Sequence, residues 1–178
     1  MSTKSAMREL RDELARALEL AGPSSPDDVF TALCAQLSRR RGRPVVYRLV
    51  EFPPRTASGL YLDMVDRDII CIQAHTRPWH QLVIFGHEVW HMVAGHCGQH
   101  QAGSAVAGRL VTDDADLNAT LHNVAARTDF RQAEEAEAET FGLELGAALR
   151  GWLEGADSAA PRSALAQRIH DALGHRQG

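Results

Sequence analysis

The chain has 178 residues, 44% of them hydrophobic and 24% charged, with a formal net charge of -4 at pH 7. This length and apolar content favour one domain with a sizeable core and leave little room for two. The negative net charge argues against a largely positive protein surface of the kind that binds nucleic acid or an anionic membrane.

Cysteine usage and the absence of long apolar runs indicate the compartment. The three cysteines, Cys34, Cys71 and Cys97, are odd in number and widely spaced, so we expect no disulfide framework and a reducing environment. Neither a signal peptide nor a membrane-spanning segment is indicated. The sequence therefore predicts a cytoplasmic protein without a membrane partner.

Two helices are predicted in the N-terminal part. Residues 7–20 place Leu10, Leu14 and Leu18 on one side of an amphipathic helix, which Gly22 and Pro23 end. A second helix begins after Ser25, with Pro26 at its first position, and ends near Arg40.

A run of arginines, Arg39-Arg40-Arg41-Gly42-Arg43, lies at the end of the second helix, where cations complement the helix dipole. We interpret it as a solvated helix end rather than a nucleic-acid patch, because no aromatic residues are interleaved with the arginines. Direct nucleic-acid binding is therefore the weakest of the functions considered. Whether these helices dock a protein partner stays open.

Three short β-strands are predicted at residues 45–50, 59–64 and 69–73, with Asp66-Arg67-Asp68 as a hairpin turn between the last two. We expect them to form a small antiparallel sheet. One edge of such a sheet can pair with an extended peptide, although a sheet that merely covers the core is an equally good interpretation.

The stretch His87-Glu88-Val89-Trp90-His91 carries the chemistry. On an α-helix, His87 and His91 lie one above the other and can bind one metal ion together, while Glu88 lies beside the metal as a general base. The flanking residues are apolar around nearly every face, which predicts a buried helix. Two packed histidines without a metal are the alternative, but buried imidazoles need partners.

A catalytic zinc needs a third protein ligand. His96, Cys97 and His100 are nearby candidates, although their spacing does not match the metzincin pattern. The other source is a helix from about residue 134 to 154. There Glu137 shares a helical stripe with Phe141, Leu145, Ala148 and Trp152, whereas Glu135 and Glu139 line up with Gly142 and Gly146. This apolar stripe is expected to face the core, and a carboxylate that points into the core is costly unless it is paired or bound to a metal. We therefore predict Glu137 as the third ligand.

The motif helix after a hairpin, followed by Glu135-Ala136-Glu137-Ala138-Glu139-Thr140-Phe141-Gly142, resembles the ImmA/IrrE family of regulatory zinc metallopeptidases. The resemblance covers roughly residues 45–149. It implies zinc ligands at His87, His91 and Glu137 and a catalytic Glu88, and His96 also fits. It also implies a partnership with helix-turn-helix repressors or a toxin role in a toxin-antitoxin pair.

Two residues depart from that family pattern. Glu139 stands where the family commonly has Asn or Asp, and the bulky Trp90 stands where it has a small residue. We expect Trp90 to narrow or reshape the cleft.

Together these observations predict an α+β fold: a mainly helical single domain over residues 1–178, with a small antiparallel sheet against the buried zinc helix. Its parts are a helical region (1–43), a catalytic core (44–155) and a C-terminal helix (156–178).

The predicted function is a Zn2+ endopeptidase of limited specificity that cleaves a repressor or antitoxin or otherwise relieves its repression. The alternative is a non-catalytic metal-binding module or toxin component. Candidates for the oxyanion donor are His75, His122, Tyr47 and Tyr61.

Overall fold

The computed structural model describes residues 2–52, 57–95 and 132–157, and for residues 154–157 the backbone alone. These residues form an α+β fold. Its helices are α1 (Thr3–Ala21), α2 (Pro26–Arg41), α3 (Pro78–Ala94) and α4 (Gln132–Asp157), and its strands are β1 (Val45–Val50), β2 (Gly59–Asp63) and β3 (Asp68–Gln73). Across these residues, no helix combines the length and apolar composition that a membrane span requires. Most of the predicted C-terminal helix lies outside the described residues.

Local capping sets the ends of the N-terminal helices. The side chain of Ser25 accepts a hydrogen bond from the backbone N–H of Asp28 at 3.1 Å, and Pro26 occupies the first turn of α2. Gly22 ends α1 and Gly42 ends α2 in the left-handed conformation, which glycine adopts without steric cost. Both predicted helices are confirmed, although α1 begins earlier than expected, at Thr3.

The sheet is mixed rather than antiparallel, so that part of the predicted fold was wrong. Its strand order is β1-β3-β2: β2 pairs with β3 through the predicted hairpin, but β1 pairs with β3 in parallel, with Val45 opposite Asp68. A hairpin turn is visible in a local sequence, whereas the pairing of β1 with a strand two elements later is not. The central strand is β3, and its continuous apolar run fits burial on both faces.

The apolar residues divide between the two faces of the sheet. On one face, Tyr61, Ile70 and Ile72 share a cluster with α3 and the other helices. On the other face, a second cluster contains Leu60, Leu62 and Cys71. Helix α3 contributes Leu82, Phe85 and Val89 to the first cluster, all with no exposed surface. Its motif residues are therefore held by a close-packed interior.

The arginine run is not simply a solvated helix end. Arg41 and Arg43 each donate from Nε to Asp68 Oδ2 at 2.9 Å, and Asp68 has no exposed surface. Arg40 pairs with Glu13, and Arg39 donates to Gln36. The charge of Asp68 requires compensation at its buried position, so the run helps to fix the start of β3. These contacts weaken the case for a nucleic-acid patch.

Candidate metal centre

The two histidines of α3 lie side by side at the end of the helix. His87 and His91 are one turn apart, and their Nε2 atoms are 3.0 Å from each other. His91 is 2% exposed, while His87 is partly exposed. Burial lowers the pKa of His87 below its ordinary value of 6.5, against an opposing effect of Glu139. A neutral imidazole has a ring nitrogen free to bind a metal.

The carboxylate that reaches these histidines belongs to Glu135. Its Oε1 lies 3.1 Å from His91 Nε2, and its Oε2 lies 3.5 Å from His87 Nε2. The three residues form a group that could hold a metal ion. Glu137, the predicted ligand, is not in this group, and Glu135 is the carboxylate that lies beside the two histidines.

The reason lies in the glycines of the helix crossing. A Cβ on Gly142 would lie 2.6 Å from the carbonyl oxygen of Val83, and one on Gly86 would lie 3.0 Å from the Cα of Gly142. Helices α3 and α4 therefore meet backbone to backbone on the glycine side. Glu135 lies two turns before Gly142 on this same side. The alignment of Glu135 with Gly142 and Gly146 therefore marks the side of α4 that faces α3, whereas we expected the stripe of Glu137 to face the core.

Glu137 instead lies beside Trp90. The indole Nε1 of Trp90 donates to Glu137 Oε2 at 3.4 Å. The ring of Trp90 is 3% exposed and packs against Phe141, with ring centroids 5.2 Å apart. The bulky residue inside the motif thus belongs to the core between α3 and α4. That Trp90 narrows or reshapes a cleft stays a prediction.

The donor atoms fit a small divalent metal. Four ligands at about 2.0–2.1 Å from a tetrahedral zinc lie about 3.3 Å from one another. The two imidazole nitrogens are 3.0 Å apart, and Glu135 approaches His91 with one carboxylate oxygen at 3.1 Å and His87 with the other at 3.5 Å. One ligand atom from each of the three residues lies within 4.8 Å of the others, so small shifts would bring them to one ion. Two imidazole nitrogens and one carboxylate form a common catalytic zinc donor set, which leaves a fourth position for water. His87, His91 and Glu135 therefore form a candidate metal site.

Glu88 lies next to this cluster, on the side of the sheet. It is 7% exposed, and burial raises its pKa to about 8, with a further increase from the negative charge of Glu135. A hydrogen bond with the backbone of Tyr61 lowers the pKa of Glu88, but by less than burial raises it. A carboxyl group with a pKa near neutrality can both accept and return a proton.

Strand β2 presents a backbone edge beside Glu88. The carbonyl of Ser58 accepts from Gln73 N–H at 2.8 Å, and Met64 N–H donates to the Arg67 carbonyl at 2.9 Å. Because bonding alternates along an antiparallel ladder, the backbone groups of Gly59 and Tyr61 point away from β3. Within the part of the chain that the structure describes, β2 pairs with β3 alone, and at Tyr61 the outward side of this edge hydrogen-bonds with Glu88.

The other residues predicted as oxyanion donors or third ligands are not seen beside the histidine cluster in the described structure. The Tyr61 hydroxyl donates to Asp68 at 2.7 Å, and the Tyr47 hydroxyl donates to Asp27, so both are engaged in structural contacts. His75 is exposed, beside Glu51. His96, Cys97, His100 and His122 lie outside the described residues. An oxyanion donor therefore stays unassigned.

Comparisons of the chain with protein-family models, with curated proteins and with solved structures found no match.

Proposed function

We propose that the protein is a zinc-dependent endopeptidase whose metal ligands are His87, His91 and Glu135. The observation that carries this proposal is the convergence of two imidazoles and a carboxylate beside the buried Glu88. The resemblance of the two motifs to the ImmA/IrrE family supports the same reaction. It also suggests a repressor or antitoxin as the protein substrate.

Each residue has a distinct role in the proposed reaction. Bound zinc would acidify a water molecule and polarise the scissile carbonyl. Glu88 accepts the proton of the attacking water through its carboxylate as the new carbon–oxygen bond forms. It then transfers that proton to the amine nitrogen as the carbon–nitrogen bond breaks. Its position one residue after His87 keeps its carboxylate close to the metal without occupying a ligand position.

The outer edge of β2 is a suitable place for a peptide substrate. Its outward backbone groups other than the one that Glu88 engages at Tyr61 can hydrogen-bond with an extended chain, which would add to the sheet as another strand. Gly59 and Tyr61 on this edge both adjoin Glu88. A peptide paired there would lie beside the proposed base.

Metal analysis together with proteolysis tests the proposal. Wild-type protein should contain about one zinc per chain. Glu135→Ala should lose most of it, while Glu88→Gln should keep the zinc and lose peptide cleavage by at least two orders of magnitude, the scale of general-base catalysis. Purified repressor or antitoxin proteins are the substrates to assay. Full cleavage by metal-loaded Glu88→Gln would refute the mechanism.

A non-catalytic metal-binding module or toxin component is the second candidate. Among the described residues, the hydroxyls of Tyr47 and Tyr61 are engaged by aspartates, which leaves neither assigned as oxyanion donor. This candidate predicts that Glu88→Gln has the wild-type effect in cells and binds the same partner. Loss of the cellular effect with partner binding retained would exclude it.

A further inference from the structure

Trp90 makes two contacts with α4. The indole ring packs on Phe141, and the indole N–H reaches the carboxylate of Glu137. A buried tryptophan N–H requires an acceptor, and Glu137 provides one from the first turns of α4. The contact therefore links a residue inside the motif to the segment that carries Glu135.

The two glutamates lie on different sides of α4. Residues two apart on an α-helix are separated by about 200° around its axis. Glu135 meets the histidines on the side of α4 where Gly142 approaches Gly86, whereas Glu137 meets Trp90 from the other side. Contacts on two sides of α4 resist rotation of the helix about its own axis.

The ends of a helix are less well held than its interior. The first N–H groups of a helix have no partner within it, so the first turns need contacts elsewhere to stay in place. Glu135 lies in this region, since α4 begins at Gln132. Glu135 can bind a metal tightly only if the first turns of α4 are already in position.

We propose that Trp90 and Glu137 are a positioning pair that orients the first turns of α4, so that Glu135 is directed at His87 and His91 before metal binds. The role depends on the zinc site proposed above. Neither residue is a ligand in this scheme. Trp90 acts through Glu137, and Glu137 acts through the helix that carries Glu135.

Zinc affinity, measured by competition with a chromophoric chelator on the full chain, tests this pair. Trp90→Phe retains an aromatic ring for Phe141 but removes the N–H donor, and Glu137→Ala removes the acceptor. Each should weaken zinc binding by about tenfold or more, the scale of outer-shell partners. The double variant should be little weaker than either single one, because both remove the same contact. Glu137→Gln keeps an acceptor oxygen and should bind zinc nearly as wild type does.

A matched control separates positioning from general loss of packing. Trp152→Phe makes the same change at a partly buried tryptophan that packs on the same core and lies about four turns beyond Glu137 on α4. It should leave zinc affinity unchanged. Hydrogen exchange in the metal-free protein should be faster in the first turns of α4 for Trp90→Phe but not for Trp152→Phe.

The outcomes distinguish this inference from the proposed function. If wild type binds zinc and both Trp90→Phe and Glu137→Ala bind it equally tightly, the positioning role is wrong and the zinc site stands. Lower stability of the metal-free variants with unchanged zinc affinity would also overturn it. If wild type itself binds no zinc, both proposals are wrong.

Discussion

The carboxylate of Glu88 lies directly against the backbone of Gly59. A Cβ on Gly59 would come within 2.6 Å of Glu88 Oε1 and equally close to a methyl group of Ile84. The absence of a side chain at this strand position therefore creates the space in which the proposed base sits. The position of Glu88 therefore depends on Gly59, because a side chain added at Gly59 would displace the carboxylate.

Gly59→Ala should accordingly impair catalysis more than metal binding. The new methyl group displaces Glu88 from its place beside the cluster, while His87, His91 and Glu135 are untouched. We expect peptide cleavage to fall by about tenfold or more with the zinc content unchanged, since displacement of a catalytic group by 1 Å can cost about a hundredfold. Overpacking should lower the free energy of unfolding by about 1–3 kcal/mol.

Ser58→Ala is the matched control, because it changes the neighbouring exposed side chain and leaves the backbone bond to Gln73 in place. It should cleave and bind zinc as wild type does. Loss of zinc from Gly59→Ala, or unchanged cleavage by it, would contradict the assigned position of Glu88.

The sequence predicts those parts of the fold that depend on neighbouring residues. Ser25, Pro26 and Gly42 mark the limits of α2 because capping acts within a few residues. The parallel pairing of β1 with β3 was missed because it depends on a long-range contact, in which Arg43 and Asp68 meet at the start of both strands.

The same distinction explains why the predicted ligand, Glu137, differs from the carboxylate that lies beside the histidines. The spacing within α3 places His87 and His91 together, because both lie on one helix. Glu135 approaches them only because α4 packs through its glycines, and the sequence does not show which face of one helix meets another. Glu137 was chosen on a stripe that included Ala148, but Ala148 is exposed and Ala138 is buried instead. A helical wheel centred on Ala138 and Gly142 would have favoured Glu135.

Asp68 should make stability depend on pH in the acid range. Burial alone would raise its pKa, but hydrogen bonds from Arg43, Arg41 and Tyr61 outweigh burial and hold the pKa below the ordinary 3.8. The charged form is therefore favoured in the folded state. Its contribution to the free energy of unfolding is complete above about pH 4 and is lost as the pH falls through the lowered pKa.

Asp68→Asn should therefore lower the free energy of unfolding at pH 7 by about 2 kcal/mol or more, as expected when a buried charged hydrogen-bond partner is removed. The difference from wild type should shrink as the pH falls below 4, because protonation neutralises wild-type Asp68 as well. Urea unfolding followed by circular dichroism at several pH values measures both effects. Asp66→Asn, at an exposed aspartate paired with Arg67, should leave the urea midpoint unchanged. A pH-independent difference would show that Asp68 does not titrate as inferred.

Cys34 and Cys71 should be unreactive while the protein is folded. Burial raises the pKa of each thiol to about 12, and the negative charge of Glu88 contributes at Cys71. At pH 8 only about one thiol in ten thousand is then a thiolate, the reactive form. In a Cys97→Ser background, a thiol-specific chromophore should label neither residue in buffer and both in concentrated urea. Rapid labelling in buffer would show that the core opens locally.

Gly142→Ala should test the helix crossing on which the candidate metal centre depends. The added Cβ would lie 2.6 Å from the Val83 carbonyl oxygen and 3.1 Å from the His87 nitrogen, and both are backbone atoms that cannot rotate away. Helices α3 and α4 must then separate, which moves Glu135 away from the histidines. We expect zinc affinity to fall by about tenfold or more, comparable to loss of an outer-shell partner, and the free energy of unfolding to fall by about 1–3 kcal/mol.

Gly151→Ala provides the comparison on the same helix, because a Cβ there would meet nothing within 4 Å. It should leave zinc binding unchanged and stabilise the protein by about 0.5–1 kcal/mol, since alanine is the better helix former. Chelator competition and urea unfolding on the two variants give a direct contrast. Equal zinc affinity in Gly142→Ala and wild type would mean that Glu135 does not reach the histidines through this crossing.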